Sequence, residues 1–292
     1  MNEIKLPSPS KKEVSFVSQF GLSRANLVLG SCGLDGAGKT RLGVTGPRIT
    51  GIIPTDRKTR KVVEHVMKEL GKEFGRDILM PTEGHLPTAK PTALALMNED
   101  DSKVFYQGYA VAIEEAAWAM YDHQEVRMIV VDQFAQYCSA VEWATYGRKG
   151  HKVLRVGTEL YKDYKESNQR IVDFISSLSG KVLLLVHRAK AEYNKGGKAT
   201  GRMTWAEGYR NLGNEVDVLI HQERNLKYNP EFQDDEDRGW QYGVNVNTCN
   251  LQPHLQGPDG LHKNTGLRDD MINMNSVLGL TFPDLNTDAW EW

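Results

Sequence analysis

Cysteine is scarce in this chain: three among 292 residues, Cys32, Cys138 and Cys249, with no paired spacing. That argues against a disulfide-stapled scaffold and fits a reducing compartment. Cys249 with His254 and His262 does not supply a common zinc spacing either, and a fourth ligand is missing. An excess of one charge is also lacking. Thirty-six Lys and Arg stand against 38 Asp and Glu, a formal net charge of -2, so any polyanion-binding surface must be local. No run approaches the roughly 20 apolar residues that span a bilayer. The opening MNEIKLPSPSKKEVSF has a Lys pair but no apolar core, so it does not read as a signal peptide, and a cytoplasmic protein without a membrane is expected. No internal repeat is visible. What remains, 40% hydrophobic and 25% charged, is the composition of a globular chain with one large core, or a core and an appendage.

The most informative stretch is Asn26-Leu-Val-Leu-Gly-Ser-Cys-Gly-Leu-Asp-Gly-Ala-Gly-Lys-Thr40. A short apolar run, Leu27 to Leu29, reads as a buried parallel strand. It is followed by G-x-x-x-x-G-K-[ST], with Gly33, Gly38, Lys39 and Thr40 at the fixed points and Asp35, Gly36 and Ala37 between. A loop that wraps a triphosphate must turn tightly and aim consecutive N–H groups inward, which glycine permits. The helix that follows turns its positive end toward the phosphates. Lys39 then reaches the phosphates and the Thr40 hydroxyl ligates Mg²⁺. Gly33 to Thr40 is therefore expected to bind ATP with Mg²⁺.

Strands and helices alternate beyond this point. Arg41-Leu-Gly-Val-Thr runs into a helix stop at Gly46-Pro47, and Ile49 to Thr55 reads as a strand with Asp56 at its tip. Thr59 to Leu70 carries a helical apolar stripe. A short strand is expected at Asp77 to Met80, and a helix from about Ser102 to Tyr121, whereas the pattern of Glu83 to Asn98 fixes no conformation. Val126-Arg-Met-Ile-Val-Val-Asp132 is a buried strand that delivers a carboxylate to the Mg²⁺ side of the loop. A helix at about Phe134 to Trp143 leads to the loop Thr145 to Lys152, and a long amphipathic helix spans about Glu159 to Leu178. Lys181 to His187, Val216 to Gln222 and Tyr242 to Cys249 read as further strands. The fold class expected is α/β, a mostly parallel sheet flanked by helices. Its organisation is an arm over 1–23, a nucleotide-binding core over 24–224 and an extension over 225–292.

The residue after Asp132 is Gln133, so the carboxylate that activates water must come from another strand tip. Asp56 is the foremost candidate, with Glu83 and Glu114 behind it, and Asp56 serves equally well as a cap of the next helix. Two basic clusters stand out. Arg148, Lys149, His151, Lys152 and Arg155 follow one strand–helix unit, and Lys195, Lys198 and Arg202, near Tyr193, Trp205 and Tyr209, follow another. Cations interleaved with rings and glycines suit single-stranded nucleic acid, and they equally suit solvated loops. The end of the chain sets Asp284, Asp288 and Glu291 among Phe282, Trp290 and Trp292, either a docking tail for a partner protein or an end that simply packs.

The order of phosphate loop, short helix with Gly-Pro, strand ending in an acid, apolar strand ending in Asp132 and then LLLVHRAKAEY resembles the RecA-like P-loop ATPase core. Most similar are the small RecA-like ATPases of bacteriophages associated with single-strand annealing and recombination. The likeness spans roughly Asn26 to Glu223. It implies Asp56 as catalytic carboxylate, His187 as the polar sensor of the γ-phosphate, loops that face single-stranded DNA, and assembly as a homo-oligomer in the cytoplasm, that of the host if the chain is phage-encoded. Arg188 and Lys190 serve equally as fingers acting on a neighbouring subunit or as surface cations. Gln133 departs from the family, which usually has a small hydroxyl residue there. The expected function is a Mg²⁺-dependent ATPase acting on single-stranded DNA in recombination, annealing or replication. The alternatives are a nucleoside or nucleotide kinase and a nucleotide-gated binding module.

Overall fold

The computed structural model describes residues 27–70, 77–88, 91–150, 159–178, 180–193, 198–205, 215–226, 240–249, 267–269, 273–274 and 277. Strand β1, Val28–Gly33, is buried along its whole length and leads through the turn 34–38 into the short helix α1, Lys39–Val44. Strand β2, Ile49–Pro54, helix α2, Thr59–Leu70, and strand β3, Asp77–Leu79, follow. The stretch with no readable pattern contains a helix, α3, Pro91–Leu96. Helix α4, Glu99–Asp122, begins three residues before the expected Ser102. The reason is a cap: Asn98 Oδ1 accepts from Asp101 N at 2.8 Å, and Glu99, Asp100 and Asp101 fill the first turn.

After α4 come strand β4, Met128–Asp132, helix α5, Phe134–Gly150, helix α6, Glu159–Ser177, and strand β5, Val182–Tyr193. The last part is strands: β6, Ala199–Trp205, β7, Val218–Leu226, β8, Trp240–Cys249, and β9, Leu267–Asp269. The loop expected at Thr145 to Lys152 is corrected in part, and the basic cluster of Lys195, Lys198 and Arg202 is partly placed on a strand. Thr145 to Gly150 continues α5 past a break at Gly147 (φ 74). Ala199 to Arg202 belongs to β6, which pairs antiparallel with the outer half of β5, so that Ala189 faces Trp205.

The sheet order is β3-β2-β4-β5-β1-β7-β8-β9, with β6 attached to β5. The six strands from β3 to β7 are all parallel, and β8 and β9 continue the sheet antiparallel. The fold is therefore α/β with a six-stranded parallel sheet flanked by helices. The boundary expected between 224 and 225 falls inside β7, and the strands beyond it extend the same sheet.

Both faces are covered, so alternate residues of one strand enter different cores. Ile129, Val131, Leu183 and Leu185 pack with α4, α5 and α6 residues such as Ile113, Phe134 and Phe174. Met128, Val130, Leu184 and Val186 pack with Leu42, Val63 and Val66 of α1 and α2. Met274 and Val277 close the second core, and Met274 N donates to Thr45 Oγ1 at 3.1 Å, just past α1. Cys32 and Cys138 are buried thiols, and burial pushes the Cys32 thiol up to about 12. The arm 1–23 and the tail 282–292 lie outside the described residues.

Candidate functional site

Because β1, β2, β4, β5 and β7 run parallel, their C-terminal ends meet along one edge of the sheet. Ligands bind at such edges because the polar loops open there while the strands stay buried. A cavity of about 600 Å³ lies at this edge, lined by Asp35 to Arg41, Asp56, Gln133, Arg188 and Gln222 among others.

The turn after β1 is held by its own lysine. Gly36 (φ 80) and Gly38 (φ 88) take left-handed conformations that side chains resist, which curls the backbone around the space above Ala37. Lys39 is only 6% exposed, and its Nζ donates to the carbonyls of Gly33 at 2.8 Å and Leu34 at 2.6 Å. Burial pushes its pKa down, against the pull of Asp35 and Asp132. The other wall comes from β7. Gln222 Oε1 accepts from Ser31 Oγ at 2.6 Å, and the Arg224 guanidinium lies against Gly36, with Nη1 2.8 Å from where a Cβ would stand.

Asp132, at the tip of β4, is the most constrained acid of the site. Its Oδ2 accepts from Thr40 Oγ1 at 2.9 Å and Thr59 Oγ1 at 2.6 Å, while Oδ1 is buried with no partner among the described residues. Desolvation raises its pKa, and the two hydroxyl bonds offset part of the shift. Thr40 and Asp132, 92 positions apart, are thus brought together as expected. Thr55 ties the tips of β2 and β4, donating to the carbonyls of Asp132 and Gln133. Gln133 itself is buried in a left-handed conformation (φ 71), uncommon for any residue but glycine.

Asp56 lines the cleft and also fastens the start of the next helix. Its Oδ1 accepts from Lys58 N at 2.9 Å, fastening the turn into α2, and its Oδ2 lies 3.4 Å from an Arg188 nitrogen. Arg188 Nε also lies 3.8 Å from Asp35, so this half-exposed cation bridges the loop and the β2 tip within one chain. The expectation for His187 is corrected. Along β5, residues 183, 185 and 187 face α5, and His187 is fully buried with its ring edge-to-face on Phe134, centroids 5.4 Å apart. It lines neither this cavity nor its neighbour. Arg188, one residue on and facing the other way, takes the cleft position.

The lesser acids separate from the cleft. Glu114 is committed to Arg170 and to the Tyr137 hydroxyl, both at 2.8 Å, and Glu83 lines a second cavity rather than this one. Of the basic clusters, Arg148 and Lys149 lie on the last turn of α5, and Arg202 and Trp205 on β6. Lys198 is exposed just before β6, while Lys152 and Lys195 fall outside the described residues. Sequence reading missed Gln222, which lines the cleft, and Thr55, Thr59 and Arg224, which contact Asp132 or Gly36 behind its walls. Each sits on a strand tip or helix start whose distance from Lys39 is a matter of strand order. No protein-family model and no curated protein sequence matches this chain.

Proposed function

We propose that this protein is a RecA-like, Mg²⁺-dependent ATPase that acts on single-stranded DNA. The observation that carries the reading is the meeting around one cleft of Lys39 and Thr40 at the start of α1, Asp132 at the tip of β4, Asp56 in the turn after β2 and Arg188 on β5. A partly dry cleft with one buried lysine, one exposed arginine and two differently placed carboxylates is suited to phosphoryl transfer, which is mostly positioning and charge stabilisation. The ammonium of Lys39 exchanges its two carbonyl partners for phosphate oxygens. The loop keeps its curl through Gly36 and Gly38.

A magnesium ion, when bound, neutralises charge between phosphate oxygens. Thr40 and Asp132 would hold it: both are hard oxygen donors, and Asp132 Oδ1 is buried without a partner. Asp56, more open than Asp132, takes the proton of the water that attacks the γ-phosphorus as the bond to the ADP oxygen breaks. Arg188, loosely paired at 3.4 and 3.8 Å, turns from Asp56 and Asp35 toward the charge that develops on the transferring group. It serves from within the chain as an arginine finger does from outside. The β5–β6 ribbon continues β5 beyond Arg188 at the same edge, and its basic residues offer the single strand a route to the cleft.

The test is inorganic phosphate release from Mg²⁺·ATP with and without single-stranded DNA, for the unaltered chain and Lys39→Ala. Release stimulated by DNA and lost in Lys39→Ala is expected. ADP formed together with a phosphorylated small acceptor would instead identify a kinase. Tight ATP binding with no turnover would identify a gated module.

A further inference from the structure

Beside the cleft, across a wall that Asp56, Gln133 and Arg188 share, lies a second cavity of about 810 Å³. It opens on the opposite face of the sheet, between α4, α5 and the turn that follows β2. One side is aromatic. Phe105, Tyr106 and Tyr109 come from α4 and Trp143 from α5. The rings brace one another edge-to-face, Phe105 to Tyr106 at 5.2 Å and Tyr106 to Trp143 at 4.6 Å. Phe105 and Trp143 are only half-buried although both pack on the core, so each presents ring surface to the cavity. The other side is cationic, with Arg57, Arg60 and Arg188 set against Asp56 and Glu83. Arg60 donates to the Pro81 carbonyl and fastens the rim, Arg188 bridges to Asp56, and exposed Arg57 faces solvent. Between the two sides, Gln133, Gln136 and Ser139 line the cavity with amide and hydroxyl groups.

We propose that this cavity is a second nucleotide-recognition site, which takes a nucleobase together with its attached phosphate. Braced rings give a base a stacking platform with little conformational entropy left to lose. Amide and hydroxyl groups can meet both donors and acceptors on a base edge. Arg57 supplies the phosphate with a cation, and the volume lies within the range of about 300 to 1,000 Å³ common to ligand pockets. A wholly apolar ligand would make no use of the exposed Arg57 cation. The shared wall gives the site a regulatory consequence, which rests on the ATPase reading of the neighbouring cleft. A base seated against Gln133 and Asp56 fixes the side of the cleft that carries the water-activating acid.

Two sources supply such a ligand, a residue of single-stranded DNA and a free nucleoside monophosphate. Photo-crosslinking of the full chain with a 5-iodouracil-bearing oligonucleotide, and in a separate arm with 5-iodo-deoxyuridine monophosphate, distinguishes them. Crosslinks are expected at Phe105, Tyr109 or Trp143. The oligonucleotide arm alone identifies a base of the strand, the monophosphate arm a free nucleotide, and either outcome supports the site. Phe105→Ala should weaken the ligand's binding about 5- to 150-fold, the value of one stacked base. Arg57→Ala, on the surface, should lower the slope of log affinity against log salt for the oligonucleotide by about 0.7. Affinity for a fluorescent ATP analogue should be unchanged in both variants, and the unfolding midpoint unchanged in Arg57→Ala; Phe105→Ala, which removes a ring packed on the core, should melt lower while still binding the analogue. Crosslinks confined to other residues, with full affinity retained in Phe105→Ala and Arg57→Ala, would overturn the proposal. Failure of the unaltered chain to bind the ATP analogue would sink the ATPase reading alone and leave these crosslinks to be judged separately.

Discussion

Asp132 is held at a cost to the fold. A carboxylate with one buried oxygen unpaired is destabilising unless a cation arrives, which is why its pKa stands above the ordinary carboxyl value. The folded chain therefore binds this proton more tightly than the unfolded chain. Stability is lost as pH rises from the ordinary carboxyl value through the raised native one. Asp132→Asn removes the charge and should stabilise the ligand-free protein above that window by about 1 kcal/mol, with the gap closing in acid. The same change should abolish Mg²⁺-dependent turnover. Thermal melts across pH, set beside phosphate release, read both effects. A variant less stable than the parent at neutral pH would show that Asp132 is not strained. Asp56 poses a different question, since its two oxygens serve the turn into α2 and the cleft. Asp56→Asn keeps an oxygen for the Lys58 amide, so stability should hold while turnover falls about 100-fold or more. A fall in melting temperature with unchanged turnover per folded molecule would leave Asp56 as a helix-start residue only.

At the scale of elements, the β5–β6 ribbon is the part that most changes how the basic residues are read. A free loop can meet DNA in many ways, but a paired ribbon presents alternate residues on fixed sides. It leaves the sheet directly after Arg188, so movement of that arginine and of the ribbon are mechanically joined. Replacing Lys195, Lys198 and Arg202 with Ala should lower the slope of log affinity against log salt for single-stranded DNA by about two units, if each contacts a phosphate. Trp205→Ala should cost about 1 to 3 kcal/mol of binding with little change in slope, if its ring stacks on a base. Affinities taken in ATP and in ADP should differ, because the ribbon shares a strand with the cleft. Filter binding over a salt series with both nucleotides measures all three effects. An unchanged slope in the triple variant would take the ribbon out of the DNA path.

For the whole molecule, a ligand that binds only the folded chain stabilises it by mass action. Mg²⁺·ATP at 100 times its Kd should add about 2.7 kcal/mol, seen as a rise in the unfolding midpoint. Lys39→Ala should abolish that rise, and a rise that persists in the variant would relocate the nucleotide. Much of the architecture was legible before any coordinates. The helix at Thr59 to Leu70 and the strands at Ile49, Val126, Lys181 and Val216 announce themselves because buried strands and amphipathic helices write a local hydrophobic period. The G-x-x-x-x-G-K-T run and the acid after four apolar residues are local too, so Lys39, Thr40 and Asp132 needed only reading along the chain. What the chain could not declare depends on strand order. The placing of β5 between β1 and β4 brings Arg188 to the loop and turns His187 into the core, a difference of one residue settled by which face meets α5. Gln222 and Arg224 join the site because β7 lies beside β1, and β8 and β9 continue the sheet that composition had set apart. Sequence alone determined most of the elements and marked the G-x-x-x-x-G-K-T residues, since periodicity and glycine spacing act over a few positions. Tertiary structure alone decided which strand tips share the cleft, because that choice rests on pairing and packing between residues far apart in the chain.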